Sequence, residues 1–233
     1  MDTRIIASFL IGALISGGAV YLAIAPPSPE EPTILAGVPD VRQAEYYSCG
    51  ASSMQAVLNY WGLDAFETDL RAYLNTTPVH GTYPWDMVRV ARSLGFEAEW
   101  KDNLTIADLE ASIRDGVPVI IDGQRFKEAN KTWEESWATG HYMVVIGVDD
   151  RSVYLEDPAI LGTRVVMDRD EFVQSWHDYE AELPVGPESP KYYGIGVFIR
   201  GEAPAERPAF VTWDVPPAWV PAVETLVPPV ELP

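Results

Sequence analysis

The chain has 233 residues, 47% of them hydrophobic, which is enough for one well-filled globular domain with appendages. Acidic residues outnumber basic ones by 35 to 16, so the formal net charge at pH 7 is −19. Such a surface repels phosphate backbones, and we therefore expect no nucleic acid among the partners of this protein. The chain contains four lysines, which fits either a protein adapted to high salt or an ordinary acidic surface.

The amino-terminal residues 5–25 contain no charged side chain. As a helix, an apolar run of this length spans a hydrocarbon core of roughly 30 Å, so residues 1–25 are predicted to form a membrane anchor. The alternative is a cleaved signal peptide and a secreted domain, because residues 23–25 (Ala-Ile-Ala) have the small-x-small form of a cleavage site. Arg4 precedes the span, which predicts a cytoplasmic amino terminus and a domain outside the membrane.

The rest of the chain divides into a spacer, a domain and a tail. Residues 26–36 are rich in proline and glutamate, as expected of a stiff, solvated spacer. Residues 37–200 have the regular apolar patterning of a globular domain. Residues 201–233 contain eight prolines and three aromatic residues, and are predicted to be a tail that either lies along the globular part or is free.

Helices are predicted first and most of the strands afterwards. Apolar residues at helical spacing follow Cys49, a proline in a favoured first-turn position opens the second helix, and capping pairs begin the other two. Short β-branched and aromatic runs, bounded by Gly, Asp or Pro, predict strands. This order is typical of an α+β fold, in which helices pack against an antiparallel sheet. The predicted helices cover residues 49–61, 84–94, 105–115 and 168–176, and the predicted strands cover 96–100, 117–122, 142–148, 153–156, 163–167 and 193–200.

Cys49 is the only cysteine and stands where a helix is predicted to begin. A helix N-terminus lowers the pKa of a thiol, because unpaired backbone amides point at the sulfur. Gly50 would let a substrate backbone approach closely. Gln43, six residues upstream, could place a side-chain amide beside the oxyanion that forms when a thiolate attacks a carbonyl group. These residues predict a cysteine hydrolase site, and a buried, inert thiol is the alternative.

His141 and Asp157 are the candidate base and its orienting carboxylate. His141 opens an apolar strand directly after Gly140, so its ring is expected at the mouth of the strand, where it could accept a proton from Cys49. Asp157 ends the next predicted strand, and antiparallel pairing would bring its carboxylate against the far ring nitrogen. Each residue taken singly has a structural explanation, but the order Cys, His, Asp at these spacings favours a catalytic triad.

Aromatic residues extend the candidate site. Trp133, Trp137 and Tyr142 could form a wall that grips an extended peptide, although core packing accounts for them equally well. His80 in a loop and His177 at a predicted helix end are interpreted as structural. One cysteine and scattered histidines give no metal-ligand spacing, and we expect neither a metal nor a cofactor.

Three segments together resemble a known family: VPDVRQAEYYSCGASSMQAVLNYWG (38–62), GHYMVVIGVDD (140–150) and VYLEDP (153–158). They are similar to the papain-like cysteine peptidases that process bacteriocin leaders after a double glycine, including stand-alone relatives. The resemblance covers residues 38–200 and implies a papain-like α+β fold with a cleft between helices and sheet. The roles of nucleophile, base, orienter and oxyanion donor that it implies fall on Cys49, His141, Asp157 and Gln43.

The preferred function is a membrane-anchored, extracytoplasmic cysteine peptidase that hydrolyses a peptide or protein substrate through a thioester. Acyl transfer to an amine and cleavage of cell-wall peptides share that intermediate and are alternatives. A catalytically silent peptide-binding module of the same fold is the non-enzymatic alternative. It would predict a damaged triad, whereas all four candidate positions hold chemically competent residues.

Overall fold

The computed structural model describes residues 32–179 and 189–202. The helices in this part of the chain are α1 (Cys49–Tyr60), α2 (Glu67–Tyr73), α3 (Pro84–Ser93), α4 (Ile106–Arg114) and α5 (Arg169–Ser175). The strands are β1 (Thr33–Ile34), β2 (Glu97–Lys101), β3 (Val119–Gln124), β4 (Gly140–Val148), β5 (Ser152–Glu156), β6 (Val165–Asp168), β7 (His177–Tyr179), β8 (Lys191–Tyr193) and β9 (Ile195–Arg200).

Seven strands form one antiparallel sheet, in the order β2-β9-β3-β4-β5-β6 with β1 paired to β4. A separate antiparallel pair is formed by β7 and β8. Strand β4 pairs with β3 on one side and with β5 on the other. In this register Asp122 lies opposite Tyr142, and Gly123 lies opposite His141. The histidine-bearing end of β4 therefore pairs with β3, whereas the pairing with β5 begins at Val144, opposite Glu156.

Helices cover both faces of the sheet. Val144 and Ile146 of β4 belong to the core that also contains residues of α1, α2 and α3. Met143 and Val145 belong to the opposite core, with residues of α4 and α5. Because side chains alternate across a strand, successive residues of β4 serve different cores. Each such side chain stabilises the fold by roughly 1.5–3 kcal/mol when fully buried, and the first core holds α1 against β4.

Two helix starts confirm the capping pairs that the sequence predicts. Thr105 caps α4: its backbone N–H donates to the Asp108 carboxylate at 2.8 Å, and the Asp108 N–H donates to the Thr105 hydroxyl at 3.4 Å. Asp168 caps α5 by accepting from the backbone N–H groups of Asp170 and Glu171 at 2.9 and 3.2 Å. These short-range signals need no tertiary contact to act, which is why the sequence is sufficient to find them.

The structure corrects the predicted elements in three places. Helix α2 was not predicted from the sequence. His177 does not end a helix but begins β7, because it pairs with Tyr193 of β8. The predicted strand 193–200 is interrupted at Gly194, whose φ of +59° ends β8 before β9 begins. The β7–β8 pairing is not local in sequence, so a window of neighbouring residues does not reveal it.

The predicted membrane anchor (1–25) lies outside the described residues, and so do residues 203–233 of the predicted tail. Over residues 32–179 and 189–202, every helix is too short or too polar to cross a bilayer. The anchor therefore stays a prediction from sequence.

Candidate active site

Cys49 is the first residue of α1, and its side chain is half-buried at the edge of the first core. The loop that leads to it is tied to the far end of β5. The backbone N–H of Val41 donates to the buried Glu156 carboxylate at 2.9 Å, and that of Gln43 donates to the Pro158 carbonyl at 2.8 Å. These two bonds fix the loop before the cysteine against the segment that carries Asp157.

His141 and Asp157 form a buried hydrogen bond, with 2.7 Å between His141 Nε2 and Asp157 Oδ1. Their side chains are 7% and 3% exposed. Asp157 Oδ1 also accepts from the Ala159 N–H at 2.8 Å, and Oδ2 accepts from Arg125 Nε at 3.0 Å. Because the carboxylate occupies Nε2, the other ring nitrogen, Nδ1, is left for the hydrogen bond with the Cys49 thiol. The antiparallel β4–β5 pair brings these residues together.

The pKa values of the three groups favour a charged pair. Burial raises the pKa of the Cys49 thiol, but the hydrogen bond and charge of His141, helped by the N–H groups of Tyr142 and Gly50, lower it below its usual value. Burial lowers the pKa of His141, whereas Asp157 and Cys49 raise it to about 9. Burial also opposes ionisation of Asp157, but His141 outweighs it and lowers the pKa of that carboxyl. A thiolate beside an imidazolium is the form that attacks carbonyl carbon.

Two of the sequence-predicted residues do not line the cleft. The Gln43 amide donates to the Glu45 carbonyl at 2.7 Å, and Gln43 Oε1 is buried with no hydrogen-bond partner among the described residues. Gly50 is buried, and a Cβ there would lie 2.7 Å from the Thr82 Cβ and 2.8 Å from the Met87 Cε. The absence of a side chain at Gly50 thus allows α1 and α3 to approach each other, while its N–H still contributes to the thiol pKa.

The cleft has a volume of about 410 Å³, and Cys49, Gly140, His141 and Tyr142 line it. Trp137 also lines it, whereas Trp133 does not and instead accepts from His177 Nε2 through its carbonyl at 3.2 Å. Much of the remaining wall is aromatic. Residues of this type that line the cleft are Tyr46, Tyr47, Tyr83, Trp85, Trp137, Tyr142, Tyr179 and Tyr192, and His80 stacks on Tyr83 with ring centroids 5.9 Å apart.

Sequence reasoning missed a pair of acidic residues in the same wall, Asp122 of β3 and Asp178 of β7. Their carboxyl groups hydrogen-bond to each other, and Asp122 also bonds to the Tyr142 side chain. The only sequence signal is an aspartate inside the apolar strand β3. Within the described part of the chain, no group of three or more His, Cys, Asp or Glu side chains is suited to a metal ion.

Comparison with known proteins identifies the family. The profile of the Peptidase_C39 like family matches residues 35–183, which include the cysteine, the histidine and the aspartate described above. The chain belongs to this family. The match covers the larger part of the globular domain, so the resemblance read from the three sequence segments is confirmed.

Two curated relatives differ in how much of their length this chain spans. An uncharacterized protein of Methanothermobacter marburgensis is 32% identical over 128 residues, which are 55% of this chain and 77% of that protein. The transport/processing ATP-binding protein ComA of Streptococcus pneumoniae is 28% identical over 136 residues, which are 58% of this chain but 17% of ComA. The relationship to ComA therefore concerns one part of a much longer protein.

Two solved structures share the fold. A protein of Bacillus anthracis described as a C39-like peptidase superposes with a TM-score of 0.56 at 21% identity, covering 75% of this chain and all of that one. A double glycine motif protease from an AMS/PCAT transporter, solved with its leader peptide, gives a TM-score of 0.50 at 21% identity, covering 71% of this chain and 92% of that one. The α+β architecture with an antiparallel sheet is thus the fold of this family.

Proposed function

We propose that this chain is a peptide-bond hydrolase in which Cys49 is the nucleophile, His141 the general base and acid, and Asp157 the group that orients the histidine. The observation that carries the proposal is the buried hydrogen bond of 2.7 Å between His141 Nε2 and Asp157 Oδ1. The same imidazole ring also forms a hydrogen bond with the Cys49 sulfur. Membership of a C39-like peptidase family supports the same chemistry.

The proposed reaction begins with attack of the Cys49 thiolate on the carbonyl carbon of the scissile peptide bond. The His141 imidazolium gives its proton to the leaving amine as the C–N bond breaks, which leaves an acyl thioester on the sulfur. A water molecule then loses a proton to His141 and attacks the thioester, so that the acid is released and the thiol is restored. Asp157 holds the ring in one orientation and stabilises its positive charge in both steps.

The oxyanion would be met by the backbone N–H of Cys49 and by the side-chain amide of Gln43. In the structure that amide donates to the Glu45 carbonyl at 2.7 Å. This bond uses one of the two hydrogens on the amide nitrogen, and the other is left for the substrate oxygen. A donor of this kind stabilises a transition state by on the order of 2.7–4 kcal/mol, which is more than the roughly 1 kcal/mol of one ordinary hydrogen bond.

The proposal includes a peptide or protein substrate and an N-terminal anchor that holds the domain outside the membrane. The aromatic cleft and the leader-peptide complex of the AMS/PCAT protease support a peptide ligand. The apolar residues 5–25 are the support for the anchor.

The test is alkylation of Cys49 by iodoacetamide as a function of pH in the full chain, followed by mass spectrometry. Because Cys49 is the only cysteine, no other thiol contributes. We expect a midpoint well below the free-thiol value of about 8.5, and a return towards that value in His141→Ala. His80→Ala, which removes the histidine on the other rim of the cleft, is the matched control and should leave the midpoint in place.

Turnover is tested by exposing a proteome-derived peptide library to the wild-type chain and to Cys49→Ala, and sequencing the new termini. Cleavage that depends on Cys49 is expected. An activated thiol without any cleavage would favour the peptide-binding module. If the pKa of the Cys49 thiol has its ordinary value and does not change in His141→Ala, Cys49 is not the nucleophile.

A further inference from the structure

A pair of carboxyl groups forms part of the cleft wall on the far side of β4 from Asp157. Asp122 is 8% exposed and Asp178 is half-buried, and both line the cavity that contains Cys49. Asp178 Oδ1 accepts from the Tyr179 N–H at 2.8 Å and from Gln124 Nε2 at 3.3 Å. The pair is therefore held in place by fixed donors.

Gly140 makes room for this pair beside the catalytic histidine. A side chain at Gly140 would overlap the Asp178 carboxylate, so the strand can approach that group only where no Cβ is present. Because Gly140 immediately precedes His141, Asp178 lies beside the peptide unit that carries the base. The register of β3 and β4 puts Asp122 opposite Tyr142, one residue beyond that base.

No lysine, arginine or histidine among the described residues forms an ion pair with these acids. Burial raises the pKa of Asp122 well above its usual range, and Asp178 and Cys49 add to this effect. Burial raises the pKa of Asp178 to about 6. Two carboxyl groups in such contact share a proton, and the pair then carries one negative charge at neutral pH.

The rest of the wall is suited to a positive group. The described residues that line the cleft include no lysine or arginine, and the adjoining aromatic faces attract cations. Lys191 of β8 demonstrates this attraction within the protein, since its Nζ lies 4.5 Å from the centroid of the Trp137 ring and 6.0 Å from that of Tyr179. Both rings line the same cavity as the two acids.

We propose that Asp122 and Asp178 form a subsite for a positively charged group of the substrate next to the scissile bond. The group is an ammonium or guanidinium, as on a lysine or arginine side chain. When it binds, it supplies the countercharge that the buried pair lacks, and the shared proton leaves to solvent. The proposal rests on the proposed function, because it assigns a substrate preference to that cleft.

The first experiment measures the electrostatic preference around Cys49 without a known substrate. The full chain is treated with methanethiosulfonate reagents that carry a trimethylammonium, a neutral or a sulfonate group, and rate constants are compared for wild type and Asp122→Asn/Asp178→Asn. We expect the ratio of cationic to anionic rates to fall roughly tenfold in the double variant, as Coulomb's law gives for one charge removed nearby. Asp102→Asn, an exposed aspartate outside the cleft, is the matched control.

An unchanged ratio in the double variant would overturn the proposal. The rate with the neutral reagent and the unfolding midpoint of each variant report whether the site has kept its structure. If the double variant misfolds, the single Asp178→Asn variant takes its place, because burial keeps Asp122 neutral and the charge is still removed. A thiol of ordinary pKa would refute the proposed function, yet the ratio could still be measured, so the two failures are distinguishable.

The second experiment identifies the source of the charge. Dipeptidyl acyloxymethyl ketones label catalytic cysteines, and they are made with lysine or its neutral isostere norleucine, each with a free or an acetylated amino terminus. We expect the acetylated lysine probe to label Cys49 about tenfold faster than the norleucine probe, and the difference to disappear in the double variant. A preference for the free amino terminus in the norleucine probes, without a lysine effect, would overturn the assignment to a side chain.

Discussion

Two buried aspartates flank the histidine-bearing strand β4, and their pKa values move in opposite directions. Asp157, at the end of β5, is hydrogen-bonded to His141 and Arg125, which outweigh the effect of burial and lower its pKa. Asp122, on β3, is raised first by burial and then by the carboxyl group of Asp178. The two side chains are 3% and 8% exposed, so burial alone does not separate them.

The difference shows that the partner decides the charge of a buried acid. Donors and cations hold Asp157 in its ionised form, in which it can orient an imidazolium. Burial, to which a second carboxyl group adds, holds Asp122 in its protonated form. One strand thus separates an acid that we assign to the chemistry from an acid pair that we assign to substrate recognition.

The largest expected effect is the loss of the ionised acid. Asp157→Asn removes the charge that stabilises the imidazolium, and we expect labelling by an acyloxymethyl ketone to fall on the order of 10²–10⁴-fold, as for the equivalent change in serine-protease triads. Inactivation kinetics at pH 7 measure it, with Asp102→Asn as a control that should react like wild type. A loss of less than threefold would mean that Asp157 is structural.

The space beside Gly140 is tested by filling it. Gly140→Ala places a methyl group on the Asp178 carboxylate, and overpacking of this kind costs about 1–3 kcal/mol of unfolding free energy. Urea unfolding measures the loss. The shorter side chain of Asp178→Ser in the Gly140→Ala background should restore most of it. If Asp178→Ser restores none of the lost unfolding free energy, the contact with the Asp178 carboxylate is not the reason that residue 140 must be glycine.

The raised pKa of Asp178 predicts a gain of stability when this acid is replaced. Since the pKa of Asp178 is about 6 in the folded protein and about 3.9 when unfolded, the folded state binds more protons between these values. Stability therefore falls as pH rises from about 4 to 6. Asp178→Asn removes this loss and should stabilise the protein by about 1–3 kcal/mol above pH 6 and by nothing below pH 4. Thermal unfolding across pH 4–8 measures it, and an equal effect at all pH values would contradict the linkage.

Arg125 gives the smallest expected effect. Its Nε lies 3.0 Å from Asp157 Oδ2, and its side chain is 23% exposed, so solvent screens part of the interaction. We expect Arg125→Met to slow labelling of Cys49 about two- to fivefold, roughly 1 kcal/mol or less. Arg89→Met, which breaks the pair with Asp86 on α3, is the control away from the triad. A loss as large as that of Asp157→Asn would make Arg125 the main support of the carboxylate.

Local signals account for much of what the sequence predicted about the site. A cysteine at a helix start, a histidine opening a strand and an aspartate ending the next strand are all visible in short windows, and antiparallel pairing then brings the last two together. The contact of Asp178 with Asp122 is different. It depends on β7, whose partner β8 comes later in the chain, and on the close approach of that segment to Gly140.

Two further residues show where sequence reasoning stops. Gln43 stands at the right spacing before Cys49, but the position of its amide is set by the Glu45 carbonyl. Gly50 is recognisable as a glycine beside the nucleophile, but only the packing of Thr82 and Met87 reveals why no side chain fits there. Both features depend on side-chain contacts within a few ångströms, which residue spacing does not encode.

The sequence by itself determined the α+β class and the order of the candidate triad, because these follow from periodicity, capping and the order of residues along the chain. It also determined the family, through the resemblance of three segments to known members. The tertiary structure decided which buried acids are ionised, which residues line the cleft and how the helices divide between the two faces of the sheet. The physical reason is that a pKa, a hydrogen bond and a steric overlap all depend on distances between residues far apart in sequence. Only the folded chain fixes those distances.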